Sequence, residues 1–133
     1  MPLSYRLLPE HDLIWTTATG VLTDGDVLEH KRRLVADPAC HPNMRELSDI
    51  RPVSELQVTP NGVQLMAAMD SRDAAQLGDH HMALVANEDV VVGMARMYAA
   101  FTADHLPRVG VFRSLDEALR WLGLPADLRP PAV

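Results

Sequence analysis

The 133-residue chain is 47% hydrophobic and 23% charged, the balance of one ordinary globular domain, which argues against a largely disordered chain. Its 12 basic and 18 acidic side chains leave a formal charge of −6, which excludes a general phosphate-backbone binder or electrostatic docking on anionic lipid. A single cysteine, Cys40, excludes an internal disulfide.

Tyr5 to Leu8 is predicted as a short strand ending at Pro9, and Glu10-His11-Asp12 as a turn. Leu13 to Thr19 is rich in β-branched and aromatic residues, so the two segments predict an antiparallel edge hairpin. Thr23 and Asp26 have capping-box spacing and begin a helix that stops near Asp37-Pro38. Its apolar face carries Val27, Leu28, Leu34 and Val35 with Lys31 at the centre. That lysine is expected to lay its stem on the core and bring its charge to water.

Met44 to Ile50 is the next predicted strand. Thr59-Pro60 reads as a helix start, and Val63 to Ala75 as its body, broken at Gly78-Asp79. Met82 to Ala86 is a continuous apolar run, as in a strand covered on both faces. A helix follows from about Val90 to Asp104, and Pro107 separates it from a strand at Val109 to Phe112. Ser114 and Glu117 cap the last helix, which ends at Gly123. Residues 1–124 form the predicted domain, and 125–133 a loose proline-rich tail. The order β-β-α-β-α-β-α-β-α predicts an α/β fold. It has a mostly parallel sheet of about five strands with an antiparallel edge, covered by about four helices.

Several short segments carry a resemblance. They are Gly20-Val21-Leu22-Thr23, Leu47-Ser48-Asp49-Ile50-Arg51, Gly93-Met94-Ala95-Arg96-Met97-Tyr98, and Val111-Phe112-Arg113-Ser114-Leu115-Asp116-Glu117-Ala118-Leu119-Arg120-Trp121-Leu122. As a set they resemble the SpoIIAA-like family, relatives of the STAS domain, over nearly the whole chain. The resemblance implies a non-catalytic module that binds or regulates a protein partner. Some STAS domains are switched by phosphorylation of a Ser or Thr where their second helix begins, within an Asp-Ser-type motif. Here Asp49 is followed by Ile50-Arg51-Pro52, and Ser54 and Thr59 lie nearby but outside that motif. The topology is also similar to that of the CRAL-TRIO lipid carriers.

In an open parallel sheet ligands bind beyond the carboxyl ends of the strands. That edge is expected to collect Asp49, Arg51, Asn87, Arg113 and Ser114, a candidate anion or ligand site, with Asp49 and Arg51 also placed to pair with each other. The helix near Val90–Asp104 is apolar nearly all round. Val90, Met94, Met97, Tyr98 and Phe101 are assigned to the sheet, and Val92, Gly93, Arg96, Ala99, Ala100 and Ala103 to a homodimer interface. His80-His81 diverge if they lie on a strand, and Cys40-His41 has no matching second pair, so no metal is expected. No phosphate-binding loop, nucleophile elbow or dinucleotide turn occurs, so neither a catalytic residue nor a cofactor is expected. The N-terminus lacks the pattern of a signal peptide, and the chain reads as cytoplasmic, without membrane insertion or nucleic-acid binding. The competing reading is a carrier or sensor that binds a small apolar or anionic ligand at the carboxyl-terminal edge of the strands; a dry apolar pocket lined by methionines would favour it.

Overall fold

A computed structural model describes residues 2–104 and 108–130. The five-stranded main sheet has the order β1-β2-β4-β6-β7, from β1 (Leu3–Leu8), β2 (Leu13–Ala18), β4 (Arg45–Asp49), β6 (His81–Val85) and β7 (Arg108–Phe112). β1 and β2 are antiparallel, joined by the Pro9–His11 turn and a left-handed Asp12, and every other pair is parallel. The edge hairpin, the mostly parallel sheet and the helices on both faces agree with the reading from periodicity. Pro107 lies outside the described residues, as do Pro131 and the end of the tail. Leu128 packs against the core.

Two strands were not foreseen. β3 (Gly20–Thr23) and β5 (Val53–Gln57) pair in parallel as a separate two-stranded sheet. Leu22 and Val53 turn inward beside Leu3 and Ala18, while Val21, Ser54, Glu55 and Gln57 are exposed.

The helices are α1 (Asp24–Ala36), α2 (Pro60–Arg72), the single turn α3 (Ala74–Leu77), α4 (Asp89–Thr102) and α5 (Leu115–Trp121). α1 starts where local chemistry says it should. Thr23 Oγ1 accepts from Asp26 N at 3.2 Å, and Thr23 N donates to Asp26 Oδ2 at 3.0 Å, a reciprocal capping box. Thr59 caps α2 by the forward bond alone, accepting from Gly62 N at 3.0 Å, with Pro60 in the first turn. The Asp24 carboxylate accepts both from Thr59 N (2.9 Å) and from its hydroxyl (2.6 Å), tying the two helix starts together.

The sheet's two faces differ in character. One face packs Leu13, Trp15, Leu47, Ala83 and Val85 against Leu115, Ala118 and Leu119 of α5, all buried hydrocarbon. The other packs Met82, Leu84 and Val109 against Val63 and Met66 of α2 and Met94, Met97 and Tyr98 of α4. In the middle of that second face stand three polar residues, Thr16 on β2 and Glu46 and Ser48 on β4, all buried. No helix among the described residues is long and apolar enough to cross a membrane.

Candidate functional site

The polar centre of the second face is where the chain departs from a plain hydrocarbon core. In β4 the side chains alternate, so Leu47 faces α5 while Glu46 and Ser48 face α1, α2 and α4. Parallel register sets Thr16 beside Ser48, and Ile14 beside Glu46. Thr16 and Ser48 hydroxyls each donate to Glu46 Oε2 at 3.1 Å. His80, just before β6, reaches Glu46 Oε1 through Nε2 at 3.2 Å. His30 of α1 brings Nε2 to 3.5 Å from Glu46 Oε2 and 3.3 Å from Thr16 Oγ1. A carboxylate only accepts, so both ring nitrogens facing it carry protons. Burial works against the charge on Glu46, but the hydrogen bonds from His30 and His80 outweigh it and hold the carboxyl well below its ordinary value.

One residue along α1, Lys31 extends inward instead of out. Its Nζ donates to both oxygens of Asp70 on α2, at 3.0 and 3.1 Å, and to the Tyr98 hydroxyl of α4 at 2.9 Å. Tyr98 in turn donates to Asp70 Oδ2. Only 11% of the lysine side chain is exposed, which corrects the expectation that it brings its charge to water. The reason is a buried partner: Asp70, 39 residues away, meets it inside. Burial lowers the affinity of Lys31 for its proton, but Tyr98, Asp70 and Glu46 overcome this and raise its pKa, so it is a structural cation and not an activated amine.

Two cavities flank these groups and share Lys31, Glu46 and Met82 as a wall. The first, about 160 Å³, lies toward the 37–44 loop and is bordered by Cys40, His41, Asp73 and Gln76. The second, about 100 Å³, is walled by aliphatic and methionine side chains: Leu22, Val27, Ile50, Leu56, Val58, Met66, Met82, Leu84, Val91, Met94 and Ala95. Its polar margin is Thr16, His30, Lys31, Glu46, Ser48 and Tyr98. Among the described residues no buried side-chain nitrogen or oxygen lacks a hydrogen-bond partner. The second cavity is therefore a chamber of hydrocarbon beside a satisfied polar network, and water would find few partners on most of its wall.

Arg51, Arg113 and Ser114, which follow the carboxyl ends of β4 and β7, are each engaged locally. Arg51 makes a bidentate pair with Asp49, at 2.8 and 2.9 Å. Arg113 donates to Asn87 O at 3.0 Å and to Asp89 Oδ1 at 2.7 Å. Ser114 caps α5 by accepting from Glu117 N at 3.4 Å. Ser54 is exposed on β5, and the Thr59 hydroxyl is occupied at the head of α2.

On α4, Val92 is buried with Ala86 and Val91, inside the chain's own core and not on an outer face. Gly93, Arg96, Ala100 and Ala103 are exposed and Ala99 is half-buried. Val90 and Phe101, assigned to the sheet from sequence, are 67% and 41% exposed. The inward stripe is Val91, Val92, Ala95, Tyr98 and Thr102, about one residue's rotation from the face expected.

His80 and His81 do diverge: His80 is buried on Glu46, and His81 lies beside Trp121 with ring centroids 6.1 Å apart. Cys40 and His41 do not act together, since the His41 ring faces Asp12 Oδ1 at 3.2 Å and burial pushes the Cys40 thiol up to about 11. Among the described residues no group of three histidine, cysteine or acidic side chains is placed to hold a metal ion.

Sequence reasoning missed Glu46, His30 and Asp70, and placed Lys31 and His80 without their partners. Glu46 carried no local signal, since the polar alternation of its strand reads as a solvent face until the strand is placed between β2 and β6.

Neither a protein-family model nor a curated protein sequence matches the chain. A solved structure does: an uncharacterized protein of the DUF3478 family with a SpoIIAA-like fold, from Shewanella loihica PV-4. It is 17% identical, with a TM-score of 0.60 over 90% of this chain and 93% of that one. The resemblance read from short sequence segments is thus matched by the architecture, and the chain has a SpoIIAA-like α/β fold.

Proposed function

We propose that this chain is a non-catalytic binding module that takes a small apolar molecule into the chamber between the β2-β4-β6 face and helices α1, α2 and α4. The observation that carries the reading is the chamber itself, about 100 Å³ of hydrocarbon-walled space beside a fully paired charge network. The space is partly open to solvent, so an occupant can reach it without unfolding the chain. An engineered apolar cavity of about 150 Å³ binds benzene or xenon. Met66, Met82 and Met94 make this wall adaptable, since methionine repacks at little cost. The strand-end arginines support an anion site less well, because each already holds a carboxylate. A cytoplasmic setting belongs to this reading, with Cys40 as a free thiol.

Filling the chamber tests the proposal. Ala95 is buried on α4 and lines it. Benzene is expected to raise the unfolding midpoint of the native chain and to leave that of Ala95→Leu unmoved. An equal rise in both proteins would place binding elsewhere and sink the reading.

A second reading, a homodimeric or partner-binding STAS-like module, is favoured by one observation. Val90 and Phe101, at 67% and 41% exposure, leave large apolar side chains in water on the same helix as the exposed Gly93, Arg96, Ala100 and Ala103. If this face joins two copies, sedimentation will report a dimer for the native chain and a monomer for Arg96→Glu/Ala100→Glu. One unchanged size in both excludes the face as a self-association surface.

A further inference from the structure

The chamber wall also restricts what its occupant is, an inference that rests on the ligand-binding reading above. Almost all of its polar capacity is used internally. The two Glu46 oxygens already face four donors, from Thr16, Ser48, His30 and His80. Thr16 gives its hydroxyl proton to Glu46 and shares the one Nε2–H of His30 with that carboxylate. Tyr98 donates to Asp70 and accepts from Lys31.

Ser48 is different. Its Oγ donates to Glu46 Oε2 at 3.1 Å, it lines the chamber, and the residue is only 6% exposed. Nothing among the described residues donates back to that oxygen, so it keeps acceptor capacity in a wall that is otherwise hydrocarbon. An anion finds no free donor there, because Lys31 Nζ is spent on Asp70 and Tyr98, and the Glu46 carboxylate behind Ser48 opposes it further. An ammonium gains little, because it would give up its water for a wall that is mostly hydrocarbon, where the Glu46 and Asp70 carboxylates already hold donors of the chain's own.

We propose that the chamber selects a small neutral molecule with an apolar body and one hydroxyl, of the phenol class, whose O–H donates to Ser48 Oγ. Its carboxylic-acid counterpart is rejected. A net hydrogen bond of ordinary strength corresponds to roughly a five-fold preference.

The test is an NMR titration of the native chain, Ser48→Ala and Ser48→Thr with benzene, phenol and benzoate. Phenol is expected to bind the native chain about five-fold more tightly than benzene, with no saturable binding of benzoate. Ser48→Ala should bring phenol down to the benzene level and leave benzene unchanged, which also shows that the variant folds. Ser48→Thr, which keeps the oxygen, should restore the preference. If benzene binds but phenol gains nothing from Ser48, or benzoate binds as well as phenol, the hydroxyl selectivity is wrong and the apolar chamber stands. If none of the three binds, the ligand-binding reading falls and this inference with it.

Discussion

Lys31→Met is expected to lower the unfolding free energy by about 3–5 kcal/mol, the cost of removing one partner of a buried ion pair. The loss comes less from the missing attraction than from what remains. Asp70 is buried on α2, and without Nζ it keeps only the Tyr98 hydroxyl as a donor among the side chains around it. The triple variant Lys31→Met/Asp70→Leu/Tyr98→Phe should recover most of the loss, because an apolar group of similar volume can replace a buried ionic cluster at little net cost. Urea denaturation of the three proteins checks both halves. A cost below about 1 kcal/mol for Lys31→Met, the value of a surface pair, would mean that the lysine reaches water after all.

Glu46→Gln is the second large effect, about 3 kcal/mol at neutral pH, with a pH dependence of defined sign. An amide offers one acceptor oxygen where the carboxylate offers two, so it leaves one of the His30 and His80 donors facing an NH₂ group. The folded chain holds the Glu46 carboxyl well below its ordinary value near 4.5, against the opposing effect of burial. A carboxyl lowered on folding contributes stability that is complete above its unfolded value and lost as the pH falls through the folded one. The native chain should therefore lose stability into the acid range more steeply than Glu46→Gln, and the two stabilities should converge at low pH. Asp37, also held low through its hydrogen bond from Tyr5, is common to both proteins and cancels in the comparison. Parallel curves would show that Glu46 is not the buried carboxylate described here.

These two residues also show where the sequence was legible. Helix starts are local: the Thr23–Asp26 box, Thr59-Pro60 and Ser114 with Glu117 all stand at helix heads because the capping partners are three residues apart. The parallel core was legible for a similar reason, since Met82-Ala83-Leu84-Val85 is apolar on both alternating faces. The short pair β3 and β5 was not, because Val53-Ser54-Glu55-Leu56-Gln57 buries only one edge of its pattern and its partner residues lie 33 or 34 positions earlier. In Arg45-Glu46-Leu47-Ser48-Asp49, polar alternation reads as a solvent face. It is buried here because His30 and His80, 16 and 34 residues away, supply the donors. Lys31 follows the same logic, its partners lying 39 and 67 residues along the chain. Capping lies within a turn; the pairing of buried charges depends on topology.

The polar network and the chamber belong to one arrangement. The inward side of α1 presents His30 and Lys31 where a plain amphipathic helix presents hydrocarbon, and each is anchored to a different element, Glu46 of β4 and Asp70 of α2. Those anchors hold α1 over the sheet, while Leu84, Met66, Met94 and Ala95 wall the remaining space. A charge network with no unpaired buried side-chain atom among the described residues keeps that wall rigid on one side, and the methionines leave it adaptable on the other.

On the ligand-binding reading this space is occupied in the working protein. Native mass spectrometry of the chain purified gently from its own host, repeated after denaturation, tests it most directly. The expected result is one small non-covalent adduct on the folded chain, absent after denaturation and absent from Ala95→Leu prepared in parallel. A bare folded chain, or an adduct that persists in Ala95→Leu, would contradict the chamber as the ligand site.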